Sequence, residues 1–132
     1  MTKIACTLLV DDDDTANYLN ELLFNRIEAT EKLLVARNGF EALQIIAQNC
    51  PGNNCPNLIL LDINMPIMDG FEFLEAFEKL EFEKKELIVI LMLTTSFNPR
   101  DVAKVRQANI AGLVNKPLTK KALQELLAEH FG

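Results

Sequence analysis

Two periodicities alternate along this chain from end to end. Short apolar runs at residues 6–10, 33–36, 58–62, 87–93 and within 110–115 have the length and continuity of strands covered on both faces. Between them, apolar residues recur every three or four positions. Ala16, Leu19, Leu22, Leu23 and Ile27 predict a first helix over residues 14–28. Residues 40–47 predict a second. Phe73, Leu74, Phe77 and Leu80 form the stripe of a third. Asn98, Pro99, Arg100 and Asp101 open a fourth. Residues 118–131 make a fifth, with Leu123, Leu126 and Leu127 inward. The punctuation agrees. Asp13 or Asp14 can cap the first helix with a side-chain oxygen. Asn38-Gly39 would suit a hairpin turn, but the helical pattern that follows makes it a helix start. The Pro-, Gly- and Asn-rich stretch 50–57, and the segment holding Pro66 and Gly70, read as loops. Five βα units in succession predict an α/β fold, a doubly wound five-stranded parallel sheet with helices on both faces. A single domain is expected to fill residues 1–132.

Composition narrows the classes. Hydrophobic residues make up 49% of the chain, enough for a real core, and the net charge of −6 disfavours broad affinity for nucleic acid. The charge is unevenly placed. Residues 97–132 carry six basic residues against three acidic ones, so the rest of the chain holds −9. Such asymmetry arises from solvated helix faces or from a partner-binding face. No apolar stretch is long enough to span a membrane, and the first residues lack the pattern of a signal peptide, so a cytoplasmic location is expected. Cys6 falls in the first strand as a small buried residue. Cys50 and Cys55 flank four loop residues. With His130 the only histidine, a zinc site lacks ligands. The pair therefore reads as two reduced loop thiols.

The chemistry lies at the strand ends. The first strand stops at Asp11 and Asp12, the third at Asp62, the fourth at Thr94 and the fifth at Lys116, which Pro117 follows. In an open parallel sheet the carboxyl ends of the strands share one crevice, where ligands bind. Several carboxylates converging there repel one another unless a hard cation sits among them, and magnesium suits carboxylate, water and phosphate oxygens. Acids for the metal, with a hydroxyl and an ammonium for the remaining oxygens, form a set for handling a phosphoryl group. A carboxylate can itself accept that group.

Leu8-Leu9-Val10-Asp11-Asp12, the run from Leu60 through Asp62, Asn64, Pro66 and Asp69 to Gly70, Leu93-Thr94-Thr95 and Asn115-Lys116-Pro117 together resemble the receiver domain of two-component response regulators, over nearly all 132 residues. The resemblance implies a flavodoxin-like (βα)5 fold with strand order 2-1-3-4-5. It implies that Asp62 is the phosphoacceptor, supplied by a phosphohistidine of a sensor histidine kinase or phosphotransfer protein. Asp12 and Asp62 would bind Mg2+ directly, Asp11 through water, and the Asn64 backbone carbonyl would be a further ligand. Thr94 would hydrogen-bond the phosphoryl group and Lys116 would pair with it, next to a peptide bond to Pro117 that is often cis in the family. Output would pass to a downstream protein through helix four, strand five and helix five, a face also open to weak dimerisation, without direct nucleic-acid or membrane contact. The chain would be no enzyme beyond its own phosphorylation and dephosphorylation.

One position departs from the family pattern. Leu113 stands where an aromatic residue usually precedes the lysine by three, which puts the usual switch readout in doubt. Asp13 and Asp14 read as cap or turn residues, and Met65 and Met68 as packing residues. The rival pattern is that of haloacid-dehalogenase-type phosphatases, with Asp11 as nucleophile and Asp13 as acid/base before Thr15. Those enzymes need a longer chain and a late acidic pair, whereas the late aspartate here is Asp101 alone. A third reading is an interaction module without phosphoryl chemistry. The intact set of five residues argues against it.

Overall fold

The computed structural model describes residues 3–52, 54–83, 85–95, 99–108 and 110–131. Strands and helices alternate as β1 (Ile4–Val10), α1 (Asp14–Arg26), β2 (Thr30–Ala36), α2 (Gly39–Asn49), β3 (Leu58–Asp62), α3 (Gly70–Glu78), β4 (Val89–Thr94), α4 (Pro99–Gln107), β5 (Gly112–Asn115) and α5 (Lys120–Phe131). All strand pairs are parallel, in the order β2-β1-β3-β4-β5. This is the flavodoxin-like architecture expected from sequence. Asn98, expected at the start of α4, lies outside the described residues.

Strand alternation divides the core into two layers. Leu8, Val10, Ile59, Leu61, Ile90 and Met92 face a cluster completed by Ala42 and Ile46 of α2 and by Phe73, Leu74 and Phe77 of α3. Leu9, Leu58, Leu60, Leu91 and Leu93 face the other layer, where Phe24 of α1 and Leu123 and Leu127 of α5 close over them. The chain leaves β1 toward β2 on one side and returns to β3 on the other. The sheet's topological switch point, and hence its crevice, falls between the carboxyl ends of β1 and β3.

The structure revises several local readings. In α1 the buried residues are Asn17, Asn20 and Phe24, whereas Leu19 and Leu22 are 55% and 41% exposed. The helix is turned by about one residue from its apolar stripe, because Asn17 donates from Nδ2 to the Asp11 carbonyl at 2.9 Å. That bond satisfies a buried backbone carbonyl at the strand end. β2 begins at Thr30, earlier than the apolar run implies. The Thr30 hydroxyl lies 3.0 Å from the Ile4 carbonyl and accepts from the Thr7 hydroxyl at 3.0 Å. Glu31 and Lys32 extend the strand into solvent, as an edge position permits. Leu87 does not start β4. It ends a short 3-10 turn (Lys85–Leu87) and is exposed. Leu80 lies just past the end of α3, half-buried.

Cys50 and Cys55 are not free thiols, as expected from sequence, but a disulfide. Their loop folds back on itself and brings the two Cα atoms to 4.1 Å, a closure that spacing alone does not reveal. Cys6 is free and buried, as expected.

The N-cap of α1 is Asp13, whose Oδ1 accepts from the Thr15 amide at 2.9 Å. Asp14 is the first helical residue, and its carboxylate meets Arg37 at 2.9 Å on the exposed surface. Asp13→Ala should therefore lower stability by about 1 kcal/mol. Asp14→Ala should lower it by less than about 0.5 kcal/mol, the range of an exposed ion pair. Urea unfolding of both variants checks this, and equal losses would refute the cap assignment.

Candidate functional site

The last backbone bond of β1 runs from the Asp11 amide to the Ala36 carbonyl at 3.0 Å. It fixes Asp11 where the strand ends, 2% exposed, while Asp12 points into solvent. Asp62 is the last residue of β3 and is 7% exposed. One carboxylate oxygen from each of Asp11, Asp12 and Asp62 lies within 4.8 Å of the others. Three acids this close demand positive charge. Part of it comes from Lys116, whose Nζ lies 2.5 Å from Asp11 Oδ2 and 3.3 Å from Asp62 Oδ1.

Backbone geometry aims the lysine. Thr94 closes β4 in register with Asn115 and is buried. The Lys116 amide donates to the Thr94 carbonyl at 2.7 Å, and the Lys116–Pro117 peptide is cis. The loop after Asp62 is equally constrained. The Gly70 amide donates to the Ile63 carbonyl at 2.9 Å. A Cβ at Gly70 would come within 2.7 Å of the Asp62 carbonyl oxygen and 2.8 Å of the Met92 methyl, so only glycine allows α3 to start this close to the acid. Asp69 and Glu72 form a capping box on α3. Ile67, in the same loop, takes a left-handed φ of 67° while 81% exposed. A β-branched residue in that region stores local strain beside the site. Met65 is buried and Met68 partly so, both packed on the core.

The electrostatics follow from this packing. The Asp62 carboxyl is pushed up to about 6, chiefly by burial and then by the charge of Asp11, with Lys116 opposing. Burial pulls the Lys116 ammonium down, but its hydrogen bond to Asp11 and the charges of Asp11 and Asp62 outweigh that and leave it raised. An all-oxygen, carboxylate-rich set with one member open to solvent fits a hard divalent cation.

Asp11, Asp12, Asp62, Thr94 and Lys116, named from sequence as strand-end residues, thus meet at one sheet edge. Asn64, two residues past Asp62, is in the loop at that edge with its side chain exposed. Sequence reading missed Asn17, which braces Asp11. The signal was available, since Asn17, Asn20 and Phe24 share a helical stripe. Also missed was a groove of about 550 Å3 beside the site, between α1 and the segment after β5, lined by Leu19, Asn20, Leu22, Lys116, Pro117 and Leu118 among others.

The response regulator receiver domain family matches this chain over residues 7–128. The chain belongs to that family. It is 30% identical to a chemotaxis protein CheY homolog of Campylobacter jejuni over 126 residues, covering 95% of this chain and 91% of that protein. It is also 30% identical, over 98% of its own length, to a segment that is only 7% of hybrid signal transduction histidine kinase B of Dictyostelium discoideum. Among solved structures, a two-component response regulator from Cytophaga hutchinsonii superposes with a TM-score of 0.88 at 31% identity, covering 98% of both chains. Chemotaxis protein CheY4 of Vibrio cholerae gives 0.78 at 25% identity, over 97% of this chain and 99% of that one. As a CheY-like receiver of two-component systems, the chain carries its acidic cluster where the doubly wound sheet places ligands. Among the described residues, no helix is long and apolar enough to cross a membrane.

Proposed function

We propose that this receiver accepts a phosphoryl group on Asp62 from a phosphohistidine of a sensor histidine kinase or phosphotransfer protein, in a magnesium-dependent reaction. The observation that carries the reading is the convergence of Asp11, Asp12 and Asp62 within 4.8 Å, with Lys116 touching two of them. Asp12 and Asp62 would hold Mg2+ directly, with the Asn64 carbonyl as a further ligand and Asp11 acting through water. The metal, when bound, offsets negative charge on the carboxylates and the phosphoryl oxygens. An Asp62 oxygen attacks phosphorus as the phosphorus–nitrogen bond of the donor breaks, and the electron pair leaves with the imidazole. Asp62 would react as its carboxylate, the form that a bound cation favours. Lys116 is 3.3 Å from the accepting carboxylate and pairs with the arriving oxygens. The Thr94 hydroxyl bonds the same group.

The groove beside Lys116 supports the donor reading. Leu19 and Leu22 stand exposed along its wall. An apolar helix face of the donor seated there would lead its phosphohistidine to the edge that holds Asp62. Output would run by protein contact through α4, β5 and α5, the face that also offers a weak dimer contact, in a domain filling residues 1–132. The basic excess of residues 97–132 suits a partner surface, and the overall charge of −6 argues against DNA. Leu113 is half-buried against the core, and because it has no ring to exchange between solvent and a pocket, its burial should change little on phosphorylation. A phosphohistidine donor of this kind would place the chain in the cytoplasm. The phosphatase reading would label Asp11 instead of Asp62, so peptide mapping of the adduct separates the two.

Acetyl phosphate with magnesium chloride should raise the intact mass by one phosphoryl group, and excess chelator should prevent it. If no adduct forms under these conditions, the chain is an interaction module and the proposal fails.

A further inference from the structure

We propose that Cys50 and Cys55 form a reversible thiol–disulfide site, oxidised by low-molecular-weight disulfides, that fastens the foot of α2 to the start of β3. The fold brings the two residues together from different elements. Cys50 caps the C-terminus of α2, its amide donating to the Ile46 carbonyl at 2.9 Å. Cys55 lies three residues before β3. Both are buried in the core layer shared by α2 and α3. Between them, Pro51, Gly52 and Asn54 are exposed, which leaves a short stretch of chain able to open for exchange.

Three observations make the bond a reversible fastening rather than a condition of folding. First, the two cysteines are only five residues apart, so cross-linking them removes less freedom from the unfolded chain than closing a longer loop would. Second, the start of β3 is anchored without it. The Asn57 amide donates to the Cys6 carbonyl at 2.8 Å, its Oδ1 accepts from the Cys6 amide at 3.0 Å, and its carbonyl accepts from the Val89 amide at 2.9 Å. Third, a pair of thiols is itself apolar enough for this layer, so the reduced form needs only a local shift that separates the two sulfurs to van der Waals distance. Cys6 stands apart as the free thiol, 2% exposed within β1 and raised by its burial, which keeps it from competing.

The head of α2 is tied to the same chain segment, since the Gly39 amide donates to the Met68 carbonyl in the loop after Asp62 at 3.0 Å. Oxidation would thus fix α2 to the β3 segment at both ends. β3 separates the disulfide from Asp62, at opposite ends of the strand, so the acidic cluster does not sense the change directly. The inference rests on the proposed function only in placing the chain among the reduced thiols that surround phosphohistidine kinases, where a resting dithiol is expected.

The exchange balances as follows. One cysteine thiolate attacks a sulfur of the oxidant RSSR, forming a mixed disulfide and releasing RS−. The second thiolate attacks the protein sulfur of that mixed disulfide, closes the Cys50–Cys55 bond and releases a second RS−. Two protein thiols lose two electrons and two protons, and one RSSR becomes two RSH.

The test equilibrates the full chain with glutathione at a series of reduced-to-oxidised ratios, quenches with acid, alkylates under denaturing conditions and reads the intact mass. Three alkylated cysteines should give way to one in a single two-thiol step, with peptide mapping joining Cys50 to Cys55. Cys55→Ser should abolish the step. Amide exchange around residues 46–57 should slow roughly five-fold on oxidation. Acetyl phosphate labelling should agree between the two forms within about two-fold, as for sites too far apart to couple. Three free thiols in excess oxidised glutathione, a bond that includes Cys6, or an oxidised form that reduces only after denaturation would each overturn the proposal. The redox steps need no phosphorylation, so their failure and that of the phosphoacceptor reading are distinguishable.

Discussion

Asp62→Asn leaves the receiver unlabelled: with acetyl phosphate and magnesium, its intact mass should stay at that of the untreated protein. The amide is nearly isosteric with the carboxylate, so the crevice keeps its shape. What is lost is the nucleophilic oxygen and one charge of the metal set. The same substitution should make the metal-free protein more stable by about 1–2 kcal/mol. It removes a carboxylate that burial and Asp11 hold at about 6. Loss of the adduct together with a gain in stability separates a chemical role from mere damage to the fold. A full-strength adduct on this variant, mapped to Asp11 or elsewhere, would sink the assignment.

Without metal, stability should fall as pH rises from about 4 to about 6.5, and Lys116→Met should deepen the fall. The sign follows from linkage. The Asp62 carboxyl would ordinarily titrate at 3.8 and is raised to about 6 in the fold. Between those values the folded chain keeps a proton that the unfolded chain has lost, so the gradient of unfolding free energy with pH is negative. The contribution is fully present below the unfolded value and is lost as pH passes the folded one. A shift of this size corresponds to about 3 kcal/mol at full strength. The open side of the crevice screens it to about 1–2 kcal/mol. Subtracting the profile of Asp62→Asn isolates this part from that of other carboxylates. Saturating magnesium should erase it, because the metal binds the ionised acid. Lys116→Met removes the counter-charge of two buried acids and should cost about 2–4 kcal/mol at pH 7.5 in chelator. Magnesium should restore much of that loss. Urea unfolding at fixed pH, with chelator or with magnesium, measures all of these. A Lys116→Met protein as stable as its parent in chelator would show that the lysine does not carry the balance of charge.

The repeating pattern of the sequence determined the architecture, because burial on both faces of a parallel sheet forces continuous apolar strands and amphipathic helices between them. β3 was legible to the residue, since the apolar run from Leu58 to Leu61 ends in the charge of Asp62. The members of the site were legible for the same reason. Each lies one or two residues past the last apolar residue of a strand, and the sheet gathers strand ends. Only the tertiary structure decided how these residues meet. That Lys116 reaches Asp11 as well as Asp62 depends on the path of a chain that returns to the site 105 residues later. The orientation of α1 also depended on packing. A bond from Asn17 to the end of β1 outweighed the apolar stripe and left Leu19 and Leu22 in solvent, which opened the groove. β2 began among polar residues because an edge strand needs only one buried side. The pairing of Cys50 with Cys55 required the loop between α2 and β3 to close, and that closure is set by the two elements it joins rather than by its own composition.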